Sequence, residues 1–166
     1  MSEKELICET KVKYSGIFSF KDLYNFVYDF LTDKGFFVEE KNYSEKVKPE
    51  GKEIEIKWVC LKKITDYFRY EIVINFKITG LLDVEITKEG KKFVSNKGDV
   101  EIKFSGSLER DYENKFETSA FLKFMRGVYD KYVIKSRIEK MEDKLAEIVV
   151  ESANQVKAYL ALEAKR

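Results

Sequence analysis

Hydrophobic and polar residues alternate between residues 6 and 110 with the period of two that is typical of β-strands. In residues 69–79, for example, Tyr70 and Ile72 alternate with Arg69 and Glu71. The same pattern predicts further strands at 6–14, 36–44, 53–64, 82–86, 93–94 and 100–105, with a last piece at 107–110. Because one face of these strands is apolar and the other is charged, they predict an antiparallel sheet that is packed on one side only.

Turn-forming residues separate the predicted strands. Pro49 and Gly51 favour a hairpin turn at 48–51, and Gly90 favours another at 88–91. We also expect turns at 14–16 and 96–99, a turn or bulge at 65–66, and an interruption at Gly80. These positions divide the pattern into about six to seven strands.

One short helix is predicted at residues 20–34. Ser19 is a favourable N-cap, and the apolar residues Leu23 and Val27 recur at helical spacing. Gly35 then suits the positive φ that commonly ends a helix. The helix is rich in aromatic residues, which we interpret as filling a core against the sheet.

The C-terminal region, residues 117–166, has no proline and no glycine after Gly127, so it predicts helix. One unbroken helix is too long for a small domain, and we expect a break between Gly127 and Ser136. The segment 121–133 is predicted to cover the sheet. An apolar stripe with heptad-like spacing follows, which we expect to pair with a second copy or with a partner. The residues of this stripe are Ile134, Ile138, Met141, Leu145 and Ile148.

Together these elements predict an α+β fold in a single domain, residues 1–166, with the sheet and its covering helices in 1–133 and a C-terminal helix in 134–166. A chain of this length buries about two thirds of its unfolded surface and needs no metal or disulfide for stability. The sequence shows no internal repeat and no linker.

The amino-acid composition says more about where the protein is located than about what it does. The 31 basic and 30 acidic residues nearly balance, so the net charge gives no global reason to bind nucleic acid or anionic lipid. The two cysteines, Cys8 and Cys60, are too few for a disulfide framework. The polar residues 1–5 predict no secretory leader, and no apolar run is long enough to span a bilayer. We therefore expect a cytoplasmic protein, with the charge-rich composition found in thermophiles.

The sequence contains no histidine, which excludes histidine-based catalytic triads and histidine metal sites. The eight glycines are dispersed and form no phosphate-binding loop. Carboxylates at Asp66-Tyr67 and Asp111-Tyr112 stand at predicted strand ends, where we interpret them as turn caps. We therefore predict a protein that is not an enzyme and has neither metal nor cofactor.

The order of a strand, a short helix, an antiparallel sheet and a long final helix resembles the helix-grip fold of START and Bet v 1-like proteins. That resemblance implies a sheet wrapped around the last helix and a cavity for an apolar ligand. The candidate cavity residues are Trp58, Tyr70, Ile72, Phe76 and Phe104 from the sheet, with Phe121 and Met125 across from them. The stretches 20–37, 58–70 and 121–137 also resemble an uncharacterised conserved archaeal protein family.

Three hypotheses for function follow. The first is a non-catalytic interaction or assembly protein that oligomerises, or binds a protein partner, through its C-terminal helix. The alternative is a helix-grip carrier of an apolar small molecule. The third is an RNA- or ribosome-associated protein, for which the candidate contacts are the basic clusters Lys62-Lys63, Lys91-Lys92 and Arg126 with Lys131, Lys135 and Arg137.

Overall fold

The computed structural model describes residues 3–113, 120–128, 131 and 135–164. Within these ranges the chain forms an α+β fold of five strands and three helices. In chain order these are β1 (Glu3–Phe18), α1 (Phe20–Asp33), β2 (Phe37–Lys48), β3 (Gly51–Lys63), β4 (Phe68–Lys88), β5 (Lys91–Arg110), α2 (Ala120–Val128) and α3 (Lys135–Ala164).

The five strands form one open antiparallel sheet in the order β1-β5-β4-β3-β2. Helix α1 connects the two edge strands, β1 and β2. The chain then returns across the sheet strand by strand until β5 pairs with β1. The first and last strands are therefore neighbours, although they are far apart in the sequence.

The described strands are fewer and longer than the six to seven predicted. Gly80 does not end a strand: its φ of 63° belongs to a bulge in β4, where the pairing with β5 shifts between Thr79 and Leu82 and then continues. The turns predicted at 96–99 and 14–16 are also wrong, because β5 and β1 run through them and Gly16 pairs with Gly98. At Gly80 the prediction failed because glycine permits a positive φ in a bulge as readily as in a turn.

The two hairpin turns were predicted correctly. Lys48 pairs with Gly51 around a two-residue turn, and Lys88 pairs with Lys91 around another. In the second turn Glu89 and Gly90 both have positive φ, 54° and 77°. Positive φ at both central residues is the geometry that matches the twist of two paired strands.

Helix α1 was also predicted correctly, with its last helical residue one position earlier than expected. The Ser19 Oγ accepts a hydrogen bond from the Asp22 backbone N at 3.3 Å, and Gly35 has a φ of 91°. The buried residues of α1 are Leu23, Val27 and Leu31. Their spacing of four residues directs one face of the helix into the core.

Helix α3 covers the sheet, and the described part of the segment predicted to do so, residues 121–128, does not. Its 30 residues make a helix about 45 Å long, which packs along β1 and β5. The buried residues of α3 are Ile138, Leu145, Ile148, Val149, Ser152, Ala153, Val156 and Leu160. The small residues Ser152 and Ala153 extend the apolar stripe towards Leu160, so the whole helix has one continuous face for the sheet. The described part of α2 has no buried residue.

Gly106 in β5 sets how closely α3 approaches the sheet. A β-carbon at this position would lie 2.7 Å from the Val149 Cγ2 and 3.3 Å from the Leu145 Cγ. Only a residue without a side chain leaves room for the helix at this distance. Nearby, the Tyr70 hydroxyl donates a hydrogen bond to the Met141 carbonyl oxygen at 2.7 Å, which fixes the position of the helix along its axis.

Gly106→Ala is expected to lower the free energy of unfolding by about 1–3 kcal/mol, because the added methyl group overpacks the contact between helix and sheet. Gly127→Ala is the matched control: apart from its chain neighbours and the backbone of its own helix, no atom lies within 4 Å of a β-carbon there, and alanine favours helix by up to about 1 kcal/mol. Urea denaturation measures both variants. Equal stability of the two would contradict the role assigned to Gly106.

Candidate functional site

The predicted cavity residues lie in two different places in the structure. The five candidates on the sheet are buried on its inner face: Trp58, Tyr70, Ile72, Phe76 and Phe104. Phe121 and Met125 do not lie across from them. They are exposed on α2, by 69% and 43%, because α1 and α3 cover the inner face instead.

Trp58 is held by aromatic contacts and by a shared carboxylate. Its ring lies 4.9 Å from the Tyr24 ring and 4.8 Å from the Phe76 ring, both edge to face. The Trp58 indole N–H donates to the Glu40 Oε1 at 3.2 Å, and the Tyr24 hydroxyl donates to the same oxygen at 2.9 Å. Burial of the phenol, together with the hydrogen bond to Glu40, raises the pKa of Tyr24 to about 12. This cluster closes the core between α1 and the sheet.

Tyr24→Phe is expected to lower stability by about 1 kcal/mol at neutral pH, because it removes the hydrogen bond to Glu40. The pKa of Tyr24 rises from 10.0 to about 12 on folding. The stabilisation by its protonated hydroxyl is therefore complete below pH 10 and is lost as the pH approaches 12.

Urea denaturation between pH 7 and pH 12 tests this pH dependence. Between pH 10.0 and about 12, Tyr24→Phe should lose less stability than the wild type does. Tyr28→Phe keeps the bond to Glu40 and is the control, since Tyr28 also packs against Trp58. An unchanged pH profile in Tyr24→Phe would contradict the assignment.

Three pockets on the described surface lie away from these buried residues. The first, of about 370 Å³, lies between the start of α1 and the β4 bulge and is lined by residues such as Phe20, Tyr43 and Leu81. The second lies on the charged face of the sheet, and the third beside the β4–β5 hairpin and the end of α3, each about 330 Å³. None of the three is lined by a predicted cavity residue. Groups of three or more potential metal ligands are absent from the described residues.

The predicted partner stripe is used within this chain. Ile138, Leu145 and Ile148 are buried against the chain's own sheet, and Met141 is partly buried there. Ile134 lies outside the described residues. The stripe is therefore not a surplus surface, because the helix that carries it is the one that completes the core.

An exposed apolar surface exists instead on α2. Phe121, Phe124 and Met125 are exposed by 69%, 67% and 43%. Their spacing of three and four residues places them on one side of the helix. We call this surface the α2 face. The sequence pattern identified the stripe itself but assigned it to the core, and Phe124 was not among the predicted site residues.

The opposite side of α2 is fixed to the body of the protein by Arg126. Its Nη2 lies 2.8 Å from the Glu3 Oε1, and its Nη1 lies 3.5 Å from the Asp111 Oδ2. The Asp111 side chain is almost fully buried, and that of Arg126 is 12% exposed. Ion pairs that are withdrawn from water hold their geometry more firmly than surface pairs. Arg126 therefore orients α2 with its apolar face outwards.

Asp111 is itself positioned at the end of β5. Its backbone N–H donates to the Tyr67 carbonyl oxygen at 2.8 Å, and its φ of 51° directs the chain away from the sheet. Next to it, the Tyr112 hydroxyl donates to the Thr65 carbonyl oxygen at 2.9 Å. The Arg69 guanidinium lies over the Tyr112 ring and pairs with Glu109 at 2.6 Å. These contacts hold the end of β5 in place, so that the Asp111 carboxylate lies beside the Arg126 guanidinium.

The basic clusters considered for RNA binding are dispersed. The Lys62 ammonium donates to the Lys34 carbonyl oxygen at 2.8 Å, and Lys63 pairs with Asp66 at 3.0 Å. Lys91 and Lys92 lie beside the β4–β5 turn, and Arg126 faces inwards. They do not form one continuous basic surface.

Comparisons with protein-family models, curated proteins and solved structures found no match to this chain.

Arg126→Met is expected to release α2, because the buried Asp111 carboxylate loses the cation beside it. Hydrogen exchange of the α2 amides should become faster, and the free energy of unfolding should fall by about 1.5–3 kcal/mol. Lys123→Met is the control, because Lys123 lies on an exposed part of the same helix. Unchanged amide exchange in Arg126→Met would contradict the anchoring role.

Proposed function

We propose that this chain is a non-catalytic interaction protein that binds its partner through the α2 face. One observation carries the proposal: an apolar face is exposed on a helix whose other side is tied down by Arg126 and the buried Asp111. A helix held by an ion pair has no need of three exposed apolar side chains for its own folding. Exposed apolar clusters of this kind mark interaction sites.

The proposal keeps the predicted class of function and moves its location from α3 to α2. It includes a cytoplasmic location and a helix-grip arrangement. The helix-grip arrangement is supported by the pairing of the first and last strands and by α3, which lies along both of them. The carrier hypothesis has less support, because the side chains that were its candidate walls are either packed in the core or exposed on α2.

The triple variant Phe121→Ser/Phe124→Ser/Met125→Ser removes the α2 face. Serine and phenylalanine have similar helix propensities, so the helix itself is largely preserved. We expect the free energy of unfolding to change by no more than about 0.5 kcal/mol per substitution, because the side chains are exposed. We also expect the variant to bind less of a dye that fluoresces on apolar surfaces.

The control is Val150→Ser/Leu162→Ser, which removes two exposed apolar residues from α3. It should bind the dye as the wild type does. The proposal fails if the triple variant loses stability as a core variant does, by more than about 2 kcal/mol per side chain. The α2 face would then belong to the protein's own core.

A further inference from the structure

Strand β2 has a free edge. It is the last strand of the described sheet and pairs there with β3 alone. Because the backbone groups of an antiparallel strand point alternately to its two sides, about half of the N–H and C=O groups of β2 point away from β3. Ten of its twelve residues are exposed, among them Val47 by 81% and Phe37 by 69%. An edge of this kind can accept a further strand.

A bulge in β2 determines which of its side chains share a face. Lys41 is the extra residue of the bulge, so the alternation between the two faces restarts after it. Val38 lies opposite the buried Cys60 before the bulge, and Tyr43 lies opposite the buried Ile56 after it. Both therefore face the inner side of the sheet, although a regular strand would place them on opposite faces. The residues of β2 on the inner side are Val38, Glu40, Tyr43, Glu45 and Val47.

We propose that β2 pairs with β2 of a second copy of this chain, antiparallel and centred on Tyr43. The two five-stranded sheets then form one continuous sheet of ten strands. A two-fold axis through this pair gives both copies the same contacts and closes the assembly at a dimer. On the outer side, Glu39 lies opposite Lys46 of the second copy. On the inner side, Val38 lies opposite Val47 of the second copy.

The register centred on Tyr43 covers the most exposed large apolar residue in the described part of the chain. That residue is Val47, and in this register it packs against Val38, which is itself partly buried. A register centred on Ser44 would instead place Val47 opposite the charged residues of the bulge. Apolar burial therefore favours the pair centred on Tyr43.

The charges of β2 disfavour other symmetric registers. A pair centred on Glu40 or on Glu45 brings two carboxylates face to face. A pair centred on Val47 brings Lys46 opposite Lys48. Like charges directly opposite each other destabilise a pair of strands, whereas opposite charges stabilise it. The charged residues of this edge thus discourage unselective pairing and favour one arrangement.

The two inner carboxylates near the axis are compensated within their own chain. Glu45 lies opposite the bulge of the second copy, and it pairs with Lys52 of its own chain at 3.2 Å. Glu40 accepts hydrogen bonds from the Tyr24 hydroxyl and the Trp58 indole N–H. Their negative charges therefore do not oppose the pairing.

Sedimentation equilibrium tests the proposal, and the wild type is expected to dimerise reversibly. Lys46→Glu and Glu39→Lys each turn two symmetry-related attractive pairs into repulsive ones. The dissociation constant of the dimer should therefore rise by about tenfold or more in each variant. An equal mixture of the two variants should associate as the wild type does, because both pairs are attractive again in the mixed dimer.

The apolar contact is tested by Val47→Lys. This change places an ammonium group opposite Val38 and should weaken the dimer as the charge reversals do. Val94→Lys is the matched control, because Val94 is also an exposed strand residue, by 72%, but lies on β5 and not at the β2 edge. It should leave the association unchanged. Both side chains are exposed, so neither variant should lose its fold.

Cysteine crosslinking tests the register. Tyr43→Cys is expected to give a disulfide-linked dimer on mild oxidation, because the two copies of residue 43 lie opposite each other, with α-carbons about 4.5–5.5 Å apart. Val47→Cys should not crosslink, since its two copies lie roughly 25–30 Å apart along the paired strands. The wild type, with Cys8 half-buried and Cys60 buried, is the control for the native thiols.

Pairing through β2 leaves the α2 face free, because α2 is attached to β1 at the other edge of the sheet. The triple serine variant of α2 should therefore remain a dimer. A wild type that stays monomeric up to about 1 mM would overturn the β2 pairing. So would a dimer that survives Lys46→Glu and Val47→Lys but is lost in the triple serine variant. Loss of stability in the triple serine variant would instead remove the proposed function and leave the β2 pairing in place.

Discussion

The close contact between α3 and Gly106 is the constraint on which the rest of the structure depends. Because β5 has no side chain at this point, Leu145 and Val149 reach the sheet and the remaining buried residues of α3 follow on the same face. The position of α3 then determines that of α1: Phe26 stacks on Tyr159, with ring centroids 4.6 Å apart, and Lys34 pairs with Glu151 at 3.1 Å. Two helices are thus fixed over the inner face of the sheet by one glycine and the contacts that it allows.

The same packing explains why α2 is on the outside. Helix α3 lies along β1 and β5, and no residue of α2 is buried. Helix α2 is held instead by Arg126, through Glu3 in β1 and Asp111 after β5. An ion pair holds a helix in place and leaves its apolar side exposed, whereas hydrophobic packing buries that side. The α2 face is therefore a consequence of how the helix is attached.

The sequence predicted the elements better than their arrangement. The caps of α1 and the two hairpin turns depend on neighbouring residues, and each was found where it was expected. The alternation along the chain predicted strands in the right regions, but the strands are fewer and longer than expected. Gly80 was misinterpreted because a bulge and a turn need the same positive φ. The choice of covering helix was also wrong. Both α2 and α3 carry an apolar stripe, and which of them packs on the sheet depends on Gly106 facing Val149. This contact joins residues that are distant in the sequence, so the hydrophobic spacing within one helix does not predict it. Phe121 and Met125 were misplaced for that reason.

The pairing of β1 with β5 has a consequence for synthesis of the chain. Glu3 pairs with Arg110 and Phe18 with Asn96, so the first strand leaves the ribosome long before its partner exists. The sheet grows from β2 to β5 by neighbouring hairpins, but it acquires β1 only when β5 is complete, and α3 packs on β1 later still. Closing such distant contacts is slow. During that interval the charged residues Glu9, Lys11 and Lys13 protect a nascent strand that would otherwise pair with other chains.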